Sequence, residues 1–157
     1  MHGRIFQISE VPVTEETKFD EERYFDGFVG SVADYVDEIG CPESEYESLK
    51  EALGEAAEFM TDSSFVVGNP EKMFEKKHAR FLKLAKKLSE TSLEDFSSGK
   101  IDMDVFRLNE EYEDKYSYYV DDGGEWFGIV PLDEFVRGCS KLNDRIWHLG
   151  AVFDYHY

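Results

Sequence analysis

The stretch "DRIWHLGAVFDYHY", Asp144–Tyr157, decides the fold class. Trp147, Leu149, Ala151, Phe153, Tyr155 and Tyr157 alternate along it, so an extended chain would line one face with apolar side chains. That pattern predicts a long C-terminal strand packed on helices. Upstream, "YYVDDGGEWFGIVPLDEFV", Tyr118–Val136, has aromatic and β-branched runs over 117–122 and 125–130, separated by Gly123-Gly124. A two-glycine loop supplies the positive φ angles that a tight hairpin needs. Pro131 then opens a short helix bearing Leu132, Phe135, Val136 and Cys139. A further strand is expected over 3–9, bounded by Val11-Pro12 because proline cannot donate to a ladder.

The middle of the chain reads as helical. Ser31–Asp34 has capping-box-like spacing, Val32, Tyr35, Val36 and Ile39 follow at helical spacing, and Gly40 is the stop. Residues 43–60 predict an amphipathic helix burying Tyr46, Leu49, Leu53, Ala56 and Met60. Phe65–Val67 is a possible strand. Asn69-Pro70 opens a helix to about Leu88 with Phe74, Phe81, Leu82, Ala85 and Leu88 inward. Ser92–Asp95 looks like another cap, and Val105, Leu108, Tyr112 and Tyr116 give a last helix from Asp102. Residues 13–26 read as loop or irregular helix. The expectation is one acidic α+β domain over 1–157. Its mostly antiparallel sheet has about four strands, covered by about five helical segments.

With 35 acidic and 17 basic residues the formal charge is −18, which argues against nucleic acid or an anionic membrane surface as partner and fits a basic protein. The charge is uneven: residues 10–62 hold 17 acidic and 3 basic side chains, residues 90–134 hold 14 and 3, and residues 71–88 hold 2 and 7. No apolar run approaches the roughly 20 residues of a membrane span. No secretory signal pattern is read at the N-terminus, so a cytoplasmic location is expected. Cys41 and Cys139 share no metal-type spacing with histidine and read as reduced, partly buried thiols.

Catalytic templates fail on spacing. Asp121-Asp122-Gly123-Gly124-Glu125 lacks the alternating ligands of a calcium loop, and its glycines lead into a strand where a phosphate cradle would lead into a helix. Gly99-Lys100 lacks the other elements of a P-loop, and neither HExxH nor GxSxG occurs. Neither a metal site nor a cofactor is indicated. Asp154 and His156 would share a strand face, where a carboxylate could orient an imidazole. His148 would lie on that face too, but about 26 Å from His156 at some 3.3 Å per residue.

Two charged helical faces remain. Lys72, Lys76, Arg80, Lys83 and Lys87 form a positive ridge, read chiefly as a solvated face or one paired with the protein's own carboxylates. Glu43, Glu47, Glu51, Glu55 and Glu58 recur every three or four residues, placing carboxylates roughly 5 to 6 Å apart, a spacing similar to that of successive phosphates. Like charges so placed cost helix stability. The leading reading is therefore a non-catalytic acidic module that binds a basic protein, of inhibitor or immunity type, imitating nucleic acid. Trp126 and Tyr118 are candidate exposed anchors. One alternative is a small enzyme or ligand-binding protein with a pocket lined by carboxylates and aromatics. Another is a structural subunit or homodimer, joined through an apolar face or open edge of the C-terminal strand.

Overall fold

The computed structural model describes residues 1–113, 118–141 and 144–157. The chain folds as α+β, with a curled seven-stranded mixed sheet and five α-helices among the described residues. The strands are β1 (His2–Ser9), β2 (Tyr35–Glu38), β3 (Ala57–Thr61), β4 (Ser64–Val67), β5 (Tyr118–Asp121), β6 (Ile129–Pro131) and β7 (Ile146–His156). The helices are α1 (Glu43–Leu53), α2 (Glu71–Ser89), α3 (Leu93–Ser97), α4 (Asp102–Tyr112) and α5 (Leu132–Cys139). The sheet runs β3-β4-β7-β1-β5-β6, with β2 also on β7. Only β1 and β5 pair in parallel. The expected four strands were too few. The missing ones are short: β2, whose partner β7 is distant in sequence, and β3, which forms a hairpin with β4 inside the stretch expected to continue as helix.

The long C-terminal strand exists, but not with one apolar face. Phe6 pairs with Val152 whereas Ile8 pairs with Leu149, so two residue steps in β1 face three in β7. Such a bulge shifts the side-chain alternation by one. Trp147 and Leu149 therefore join one core, with Phe6, Ile8, Leu49, Leu53, Phe65 and Phe135. Ala151, Phe153 and Tyr155 join another on the opposite face, with Ile5, Tyr24, Phe28, Val36 and Tyr119. Both are rich in edge-to-face aromatic contacts: Phe135 on Trp147 at 5.2 Å in the first, Tyr24 on Phe153 at 4.8 Å in the second. Nor is β7 an open edge. It pairs with β1 on one side and with β4 and β2 on the other.

Gln7 holds the bulge. It is buried, its Nε2 donates to the Thr17 carbonyl at 2.8 Å, and its Oε1 accepts from the backbone N–H groups of Phe19 and Ala151, each at 3.1 Å. The Tyr46 hydroxyl of α1 donates to the Gly150 carbonyl at 2.7 Å. A β-carbon on Gly150 would lie 2.5 Å from Gln7 Oε1 and 2.8 Å from Val13 Cγ1.

Two sequence-predicted helices are corrected. Residues 32–39 form a turn and then β2, because Val36 alone of Tyr35–Glu38 is buried and the run pairs with the end of β7. Four residues fit both periodicities, and tertiary pairing decides between them. The helix expected over 43–60 stops at Leu53. Gly54, at φ 51°, breaks it, and 57–61 becomes β3 against β4.

The helices α2 and α5 match their expected extents, and Ser92 caps α3 by accepting from the Asp95 N–H at 3.1 Å. In α4 only Leu108 of the expected stripe is half-buried. Val105 and Tyr112 are exposed, and Tyr116 lies outside the described residues. Leu82 of α2, also expected inward, is exposed.

Gly150→Ala should lower unfolding stability by about 1–3 kcal/mol through overpacking. Urea denaturation followed by the fluorescence of buried Trp147 measures it, and an unchanged midpoint would contradict this role of the bulge.

Candidate functional site

The Asp-Asp-Gly-Gly hairpin is the first place to ask for chemistry. Gly123 and Gly124 have φ of 78° and 88°, as a glycine turn requires. The loop is longer than two residues, however, since β5 ends at Asp121 and β6 begins at Ile129. Asp122 organises it. One oxygen accepts from the backbone N–H groups of Gly124 (2.9 Å) and Gly128 (2.7 Å), the other from Trp126 (2.7 Å) and Phe127 (2.8 Å). A carboxylate has about four acceptor sites, and all are committed here. Asp121 points to the other face, fully buried, and takes the Arg23 guanidinium through Nε at 2.6 Å and Nη2 at 3.3 Å. That hydrogen bond holds Arg23 above its ordinary pKa. Both acids are engaged by hydrogen bonds within the chain. Among the described residues no group of three or more His, Cys, Asp or Glu side chains is placed to hold a metal ion.

The Asp154–His156 pair does not form. Asp154 binds Arg4 and His2, the latter at 2.8 Å, while Arg4 also reaches Glu45 of α1 at 2.8 Å. The His156 Nδ1 lies 3.3 Å from Asp34, and its ring stacks on Tyr35 at 5.5 Å. The bulge moves His148 to the opposite sheet face from His156, contrary to the sequence expectation.

The five glutamates singled out by spacing are all exposed, but they are not one ladder. Glu43, Glu47 and Glu51 lie on α1, at steps of about 6 Å. Glu55 sits in the 3-10 turn after Gly54, and Glu58 on β3. Glu47 is 3.6 Å from Lys50, an exposed i,i+3 pair. The structure adds carboxylates that spacing did not reveal. Lys18 sits 2.5 Å from Glu38 at the end of β2. That hydrogen bond holds its ammonium above the ordinary lysine value against desolvation, and the charges of Glu38, Glu15 and Glu43 add to it. The 14–22 segment, β2 and the start of α1 thus share one acidic surface. Glu21 belongs to it, accepting from the Glu38 N–H at 3.2 Å. No local pattern in the sequence joins residues 15, 38 and 43.

The basic ridge is partly neutralised within the chain. Lys72 pairs with Glu75 at 2.8 Å, Arg80 with Glu111 of α4 at 2.7 Å, and Lys87 with Asp104 of α4 at 2.5 Å. An open groove of about 550 Å³ between α2 and α4 is lined by Arg80, Lys87, Asp104 and Glu111 together with Lys83, Leu84 and Arg107. Of the candidate aromatic anchors, Trp126 is exposed beneath the Arg145 guanidinium at 3.9 Å. Tyr118 is half-buried against Phe6. Cys41 is an exposed thiol, whereas Cys139 is buried and its pKa is pushed up to about 12 by desolvation.

Comparison of the chain with protein-family models, curated proteins and solved structures gave no match.

Asp122→Ala should cost about 3 kcal/mol or more, because four N–H groups lose a charged acceptor. It should also loosen residues 123–128, read as faster amide exchange there. In native protein an aromatic disulfide reagent near pH 8 should label Cys41 and leave Cys139 until the chain unfolds. Equal labelling of both would contradict the burial of Cys139.

Proposed function

We propose that the protein is a binding module for a basic protein, and that the partner docks on the acidic surface shared by α1, β2 and the 14–22 segment. The observation that carries this is the setting of Lys18, whose ammonium pairs with Glu38 of β2 while the charges of Glu15 and of Glu43 of α1 also act on it. Like charges so gathered raise the free energy of the folded chain. A cationic partner relieves that repulsion.

Charge distribution supports the reading. Residues 1–70 and 113–157 together hold 26 acidic and 8 basic side chains, so the whole net charge of −18 lies outside helices α2–α4. The same field disfavours anionic nucleic acid and anionic lipid. Within this class, an inhibitor or immunity-type role is the most concrete version. The line Glu43, Glu47, Glu51 offers three carboxylates at near-phosphate spacing to a surface built for nucleic acid. Trp126 is an exposed aromatic on the same protein able to add desolvated contact area.

The test is capture of cellular proteins on the immobilised chain, elution by salt, and repetition with the E43K/E47K/E51K variant. A basic protein should be retained at low salt, and its affinity should fall by about tenfold or more in the variant, with helix content unchanged by circular dichroism. A retained partner indifferent to both salt and charge reversal would contradict the proposal.

A further inference from the structure

We propose that the α2–α4 arm is a self-association surface, and that a second copy of the same arm covers it. This does not rest on the binding of a basic partner.

None of the residues of α2, α3 or α4 is buried, although α2 alone has 19 residues; α5, with eight, buries five. Helix α4 lies along α2 and has no comparable packing elsewhere. Two helices alone shield only the seam between them, here Phe81, Leu84 and Leu88 against Ile101 and Leu108, all half-buried. At the start of α2, Met73 and Phe74 pack against the first core, but several further apolar residues of the arm point outward. Leu93 is 83% exposed, Phe96 66%, Met103 60% and Phe106 55%, and Leu82, Val105 and Tyr112 are exposed beside them. Among the described residues, half of the large exposed apolar side chains thus lie in this arm. An open groove of about 480 Å³ runs between Phe96, Ile101, Val105 and Phe106. Clustered apolar exposure of this kind marks an interaction surface.

The occupant follows from charge. Residues 71–112 hold nine acidic and nine basic side chains, so the arm is neutral on a strongly acidic chain. The two signs are segregated: residues 71–89 hold seven basic and two acidic, residues 90–112 two basic and seven acidic. A uniformly basic partner covering the arm would meet the seven basic side chains of residues 71–89. A second copy related by a two-fold axis sets α2 of each chain against α3–α4 of the other. Every lysine-rich flank then faces a carboxylate-rich one in the arrangement of a four-helix bundle. A face about 28 Å long and two helices, about 20 Å, wide offers roughly 1,000 Å² in total, the lower bound of a specific interface.

Sedimentation equilibrium over about 1 to 500 µM should show reversible dimers of the full chain. V105E/F106E, at two exposed positions, should raise the dimer dissociation constant by about a hundredfold with an unchanged melting curve. K83E/K86E and D102K/E110K should each be monomeric alone and should form a mixed dimer when combined, an outcome that misfolding of either variant would not give. E43K/E47K/E51K should dimerise like the parent chain, which separates this surface from the acidic one. A parent chain that stays monomeric throughout the range would overturn the proposal. So would a dimer that V105E/F106E leaves intact, or variants that fail to pair when mixed.

Discussion

One buried amide, that of Gln7, ties β1 to the 14–19 segment and to the bulge of β7. Gln7 lies in the middle of β1, where an inward side chain would ordinarily be aliphatic, and makes three hydrogen bonds to backbone groups of two different segments. A buried amide costs free energy unless it is satisfied, and Gln7 is satisfied only if β7 carries its extra residue and the 14–19 segment lies over the strand. The bulge splits the apolar residues of β7 between two faces, and so the sheet acquires two cores where a regular strand would serve one.

The acidic surface depends on the same place from both sides. Helix α1 is anchored to the bulge through Tyr46 and Gly150, and the 14–19 segment through Gln7. Carboxylates that repel one another are therefore held by uncharged hydrogen bonds at their base, and the charges of Glu15, Glu38 and Glu43 all act on Lys18. The arm is built on the opposite plan. Its ion pairs run across the helix seam, from Arg80 to Glu111 and from Lys87 to Asp104, and seven of its large apolar side chains are exposed. One chain thus presents two surfaces of different chemistry.

Much of this was legible in the residues. The extents of α2 and α5 follow from their prolines and apolar spacing, the Ser92 cap from its Asp95, and β1, β4 and β7 from their runs of apolar and β-branched side chains. What was not legible depends on strand pairing that a local pattern does not encode. Tyr35–Glu38 is a strand only because the end of β7 is beside it, and residues 57–61 leave the helical pattern because β4 offers a ladder once Gly54 has broken α1. Alternation over 147–157 is unbroken in the sequence, and nothing local marks the bulge except Gly150. For the site, helical spacing found Glu43, Glu47 and Glu51 but carried the line too far, to Glu55 and Glu58. It missed Glu15, Glu21 and Glu38, which only folding brings to Glu43. Asp122, which falls at the end of the strand run read over 117–122, is the acceptor that orders the loop after it.

The central claim is that the sheet and the acidic segment are fastened at one point by Gln7. Native-state amide hydrogen exchange tests it most directly, because the Phe19 N–H sits in a loop and the Ala151 N–H in a strand, yet both donate to the same side-chain oxygen. The account predicts that the two exchange with the same high free energy of opening. Exchange of Phe19 at the fast rate of the neighbouring exposed loop, with Ala151 still protected, would contradict it.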